Sequence, residues 1–92
     1  MESDVKSTRL TASGAVFAGP SRVRAISWVG GSSAGSITIK DGGSGGTDLA
    51  VIDTPAGVTL SGYVSLPDRG IRCETSSYCT ISNTAFVTVF YA

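Results

Sequence analysis

Val, Ile and Thr supply 25 of the 92 residues, and Gly, Pro, Asn and Ser break the chain into short runs. β-Branched side chains are stiff about χ1, crowd the preceding turn of a helix and pack well on a pleated surface, so they favour strands. Helix formers are correspondingly scarce: Leu, Glu and Met together number 7, and Gln is absent. Breaks recurring about every ten residues suit antiparallel meanders and leave no room for crossover helices. The expected fold is all-β: one antiparallel β-sandwich over residues 1–92, Greek-key or jelly-roll-like, with seven or eight short strands.

The runs can be placed along the chain. Val5 to Ser13 and Ala15 to Ala18 read as a first strand bent or bulged at Gly14, and Gly19-Pro-Ser21 turns the chain. Arg22 to Val29 follows, with Val23, Ala25, Ser27 and Val29 on one face and Arg22, Arg24, Ile26 and Trp28 on the other. Ser36 to Asp41 points Ile37 and Ile39 inward, and Gly42-Gly-Ser-Gly-Gly46 is a connector. Thr47 to Thr54 reads as a short buried strand, and Val58 to Leu66 as another closed by Pro67-Asp-Arg-Gly70. Ile71 to Thr75 and Tyr78 to Ser82 read as a tight hairpin around Ser76-Ser77. The last strand, Thr84 to Ala92, carries Ala85, Val87, Val89 and Tyr91 on one face and Phe86, Thr88 and Phe90 on the other.

Charge and size exclude some functions. A chain this short hides only about 60–65 % of its unfolded surface, so its core must be thin. Seven basic and seven acidic residues cancel. No run of like charge resembles the footprint that neutralises phosphates, so no nucleic-acid partner is expected. The apolar stretches fall far short of the roughly 20 residues that span a bilayer, so no membrane partner is expected either. The start Met1-Glu-Ser-Asp4 is unlike a signal peptide, and a soluble product made in a cytoplasm is expected.

Catalytic and metal chemistry find little footing. With no histidine, a serine nucleophile has only Lys6, Lys40 or a distant carboxylate as base. Asp41, Asp48, Asp53, Asp68 and Glu74 are numerous enough for a glycosidase pair, but most stand at strand ends or turns, where Asp satisfies turn backbone. The loop Asp41 to Asp48 offers oxygens for calcium from Asp41, Ser44, Thr47 and Asp48, but it lacks EF-hand spacing; the simpler reading is a soluble hairpin loop. A phosphate cradle fails because a strand, not a helix, follows. Cys73 and Cys79 read either as buried thiols or as a cross-strand disulfide of the 71–82 hairpin. No enzyme activity, cofactor or metal is expected. Trp28 is read as core, with Arg22 and Arg24 laid over it, and the terminal strand's apolar faces call for cover on both sides.

The segments Asp4-Val-Lys-Ser-Thr-Arg-Leu-Thr-Ala12, Arg22-Val-Arg-Ala-Ile26, Ile37-Thr-Ile-Lys-Asp-Gly42 and Val87-Thr-Val-Phe-Tyr91 together resemble the small β-sandwich virion proteins of tailed bacteriophages, most of all the capsid decoration or cement proteins. The likeness is one of style over most of the chain and carries a role rather than functional residues. It implies a virion protein on the capsid surface that stabilises the shell, with the major capsid protein or other virion subunits as partners and a possible homo-oligomer. A tail, neck or baseplate component and a small carbohydrate-binding module are the alternatives, the latter requiring Trp28, Tyr63 or Tyr78 exposed in one plane. The candidate partner-binding residues are Val5, Arg9, Leu10, Arg22, Arg24, Phe86 and Phe90, with residues 1–8 as an extended arm.

Overall fold

The computed structural model describes residues 5–57, 61–66 and 70–92. Among these residues are nine strands and no helix: β1 Lys6–Leu10, β2 Gly14–Phe17, β3 Ser21–Gly30, β4 Gly35–Asp41, β5 Thr47–Thr54, β6 Ser61–Ser65, β7 Ile71–Cys73, β8 Ser77–Ser82 and β9 Thr84–Tyr91. They form two packed antiparallel sheets, one of five strands in the order β1-β9-β3-β6 with β7 also beside β3, and one of four in the order β2-β8-β4-β5. The pairings nest: β1 with β9, β2 with β8, β3 with β6 and β7, β4 with β5. That nesting is the winding of a double-sheet jelly roll.

The all-β sandwich expected from composition is thus the fold, with more strands than expected because the first run is divided. It is cut at residues 11–13, after which β2 joins the opposite sheet. Leu10 packs on the core from one sheet and Val16 is buried in it from the other, so no single pleated ribbon accommodates both. The expected hairpin at Ser76-Ser77 is also absent. β7 pairs with β3 and β8 with β4 and β2, so the chain changes sheet between Cys73 and Ser77. Of the expected N-terminal arm, Lys6, Ser7 and Thr8 are ladder residues opposite Tyr91, Phe90 and Val89; residues 1–4 lie outside the described residues, as do Val58 to Leu60 and the turn Pro67 to Arg69.

Ile26, Ile37, Ile39, Val23, Val87 and Val89 are completely buried between the sheets, joined by Val16, Trp28 and both cysteines. Each buried aliphatic side chain contributes about 1.5–3 kcal/mol relative to exposure. The register of β3 against β9 slips between Val23 and Ala25. This bulge puts Val23 on the same inner face as Ile26 and Trp28, where a strict alternation separates them. The expected shared face for Arg22, Arg24 and Trp28 is therefore corrected: the indole is core and both guanidinium groups lie outside it. Gly62, opposite Trp28 on β6, leaves the space the indole fills, since a Cβ there would overlap the ring.

β5 differs from expectation too. Its outer edge is unpaired among the described residues, and only Thr54 is fully buried, with Ala50 and Ile52 half-buried. Both ends of the sandwich are tied by buried hydroxyls. Ser21 on β3 donates to Ser77 on β8 at 2.9 Å, and Thr54 on β5 meets Thr84 on β9 at 3.3 Å.

Candidate functional site

Residues that face each other across a ladder share a face of the sheet, so the registers define the outer surface of the five-stranded sheet. One row runs Ser7, Phe90, Ala25, Ser65; the next Arg9, Thr88, Ser27, Tyr63; the third Phe86, Val29, Ser61. Tyr63 is 65 % exposed and Phe86 40 %. On the two central strands of the four-stranded sheet the equivalent surface is mostly short and polar: Ser36, Thr38 and Lys40 on β4, with Thr80, Ser82 and Tyr78 opposite on β8. Tyr63, Phe86 and Phe90 gather on the five-stranded sheet, whereas the exposed large apolar residues of the four-stranded sheet, Phe17, Leu49 and Val51, lie on its two outer strands, β2 and β5.

Two local features shape that face. The Arg9 guanidinium sits 4.4 Å from the Phe86 ring centroid, one diagonal step across the β1–β9 ladder, a cation–π contact that holds the arginine flat. Beside it, Val5, Arg24, Ala25, Tyr63, Ser65, Leu66 and Phe90 line a shallow groove of about 310 Å³. Ala25 stands between Phe90 on β9 and Ser65 on β6, and its methyl group is the smallest apolar side chain in the row. The groove is open to solvent.

Charge is segregated by sheet. Strands of the five-stranded sheet hold Lys6, Arg9, Arg22, Arg24 and Arg72 and no acidic residue; those of the four-stranded sheet hold Asp41, Asp48 and Asp53 against Lys40. Net neutrality conceals this polarity.

Of the residues singled out in the sequence, Val5, Arg24 and Phe90 come together at the groove, and Arg9 and Phe86 at the contact beside it. Arg22 lies apart, opposite Arg72 and near Ala92. Leu10 is corrected: it packs against the core, because its ladder partner Val87 points inward. Tyr63, named in the sequence only for a carbohydrate platform, was not among the partner-binding candidates. Its alternation with Gly62, Val64 and Leu66 was the available signal, since the phase that leaves those three half-buried exposes it.

The other candidate chemistry resolves into structure. The Asp41 carboxylate accepts the backbone N–H groups of Glu74 at 3.1 Å, Thr75 at 2.9 Å and Ser76 at 3.3 Å, the segment where the chain changes sheet. Those bonds, that of Thr75 foremost, hold its pKa below the ordinary carboxylate value. Asp48 is ion-paired with Lys40 at 2.6 Å. No cluster of three or more potential metal ligands occurs among the described residues. Cys73 and Cys79 are free, buried thiols on opposite sheets, which the sheet change dictates. Burial, and for Cys73 the nearby Asp41 charge as well, raises the Cys73 pKa to about 11; burial raises that of Cys79 to about 12. The carbohydrate platform does not assemble: Trp28 is buried, and Tyr63 and Tyr78 stand on different sheets.

Fold and face together define a small jelly-roll sandwich with one aromatic and cationic surface. No protein-family model matches the chain, and neither a curated protein nor a solved structure matches it.

Proposed function

We propose that this chain is a structural virion protein of the decoration type, a non-enzymatic module that binds assembled capsid subunits and reinforces the shell. The observation that carries this reading is the aromatic and cationic outer face, where Phe86, Phe90 and Tyr63 are held with Arg9 and Arg24 on a rigid sheet. Arginine and aromatic side chains dominate the energetics of protein interfaces, and sheets hold them in place at little entropic cost. Double-sheet jelly rolls also recur in viral coat domains, an argument by analogy of fold. The edge strand β1 runs along the shell, and the face meets the neighbouring protein. A partner that binds only the assembled lattice stabilises it by mass action.

The test is cryo-electron microscopy of particles from cells expressing the chain with its neighbouring structural genes. Symmetric density on the shell is the expected result. Density confined to one vertex or the tail assigns the chain to the neck or tail instead, and particles without it end the virion reading.

A further inference from the structure

The groove that accepts a partner is basic and apolar, and its complement exists on the same molecule. Arg24 is exposed beside the groove and has no ion pair among the described residues. On the four-stranded sheet, the unpaired edge strand β5 exposes Val51 by 58 %, and Asp53, two residues on and on the same face, is exposed without an ion pair among the described residues. Residues two apart on a strand stand about 7 Å from each other, so the outer face of this edge strand offers an apolar knob and an acid side by side.

We propose that the groove takes the β5 edge of a second copy of this chain, with Val51 entering between Tyr63 and Phe90 over Ala25 and Asp53 meeting Arg24. This rests on the reading of that face as the working surface and names its occupant. Because the two patches differ, the contact is heterologous and propagates head to tail, closing into a ring or extending as an open row. Such a row links neighbouring copies along a shell while β1 remains available to the shell itself. The sheet-wise segregation of charge favours this order of contacts and disfavours face-to-face pairing, which would oppose like charges.

Sedimentation velocity over a concentration series at low and high salt tests this on the protein alone. The parent associates at low salt and dissociates as salt rises. Arg24→Asp and Asp53→Arg, each by itself, weaken association about ten-fold or more, because each sets like charges in contact. An equal mixture of the two variants restores it, since every contact between unlike variants is again complementary. Both residues are exposed, and unchanged melting temperatures verify the folds. A parent that stays monomeric throughout overturns the proposal. So does a mixture that fails to associate, or association indifferent to Arg24→Asp, which would point to edge-to-edge pairing of β5. Binding of a single-stranded oligonucleotide by a monomeric parent would reassign the face to nucleic acid. Association without shell binding leaves this contact standing and removes the virion reading; shell binding by a monomer does the reverse.

Discussion

Gly62 and Trp28 show how one residue without a side chain decides where the largest one goes. The indole occupies the space that any Cβ at position 62 would need, so Gly62→Ala displaces a core ring and costs about 1–3 kcal/mol in denaturant unfolding. Trp28→Leu removes the clash, so adding Gly62→Ala to that variant costs measurably less, and the shortfall is the coupling energy. The Trp28 indole N–H is buried without a hydrogen-bond partner among the described residues, so Trp28→Phe gives up ring volume but also removes an orphaned donor. The buried thiols make a prediction in pH. Their folded pKa values, about 11 for Cys73 and about 12 for Cys79, lie above the ordinary value of 9.0, so burial of the neutral form stabilises the fold fully below pH 9. As pH rises from there the unfolded chain releases protons that the folded chain keeps, and stability falls by about 1.4 kcal/mol per pH unit for each thiol. Unfolding measured from about pH 8 to about pH 10.5 shows a shallower decline in Cys79→Val than in the parent.

Strands and connections add their own tests. Asp41 closes β4 by accepting three backbone N–H groups of the segment that carries the chain from β7 to β8, a latch between hairpin loop and sheet change. Its folded pKa is lowered, so the latch stabilises the protein above the ordinary carboxylate pKa and is lost as pH falls through the lowered folded value. Asp41→Ala therefore melts earlier than the parent at neutral pH, and the gap closes in acid, as thermal unfolding across acidic pH checks. The Thr54–Thr84 pair ties β5 to β9 inside the sandwich. Thr84 also donates to the Ser82 carbonyl oxygen at 3.0 Å, so the Thr54 hydroxyl is the donor of the pair. Thr54→Val removes one hydrogen bond and costs about 1 kcal/mol in denaturant unfolding, whereas Thr84→Val strands the Thr54 donor, gives up the Ser82 bond as well and costs more. The sequence made β4 legible because Ile37 and Ile39 alternate cleanly with polar neighbours. It misled on β3, where the bulge between Val23 and Ala25 shifts the phase, and on Cys73 and Cys79, whose spacing suits a hairpin as well as a change of sheet. Alternation reports the face of a strand but not which sheet the strand joins.

At the scale of the molecule, two surfaces of opposite character share one rigid sandwich, which is 20 Å thin along its shortest axis. Phe86 and Phe90 belong to the outer surface and contribute little to the core. Phe86→Ser forfeits the Arg9 contact and costs under about 1 kcal/mol of stability. Under the proposed function, adding Phe90→Ser abolishes shell occupancy in particle sedimentation while the monomer stays folded. Retained occupancy in the double variant would remove the face from the contact.

By itself the sequence determined the class of fold, because β-branched composition and closely spaced breaks are local properties that each strand carries with it. It also determined most of the core, from Ile37 to Val89, and five of the residues that gather on the candidate face. The nesting of first strand with last, the inward turn of Leu10 and the separation of charge onto opposite sheets were decided only by tertiary structure. Each depends on which distant strands become ladder partners, and that choice is made by burial summed over the whole sandwich.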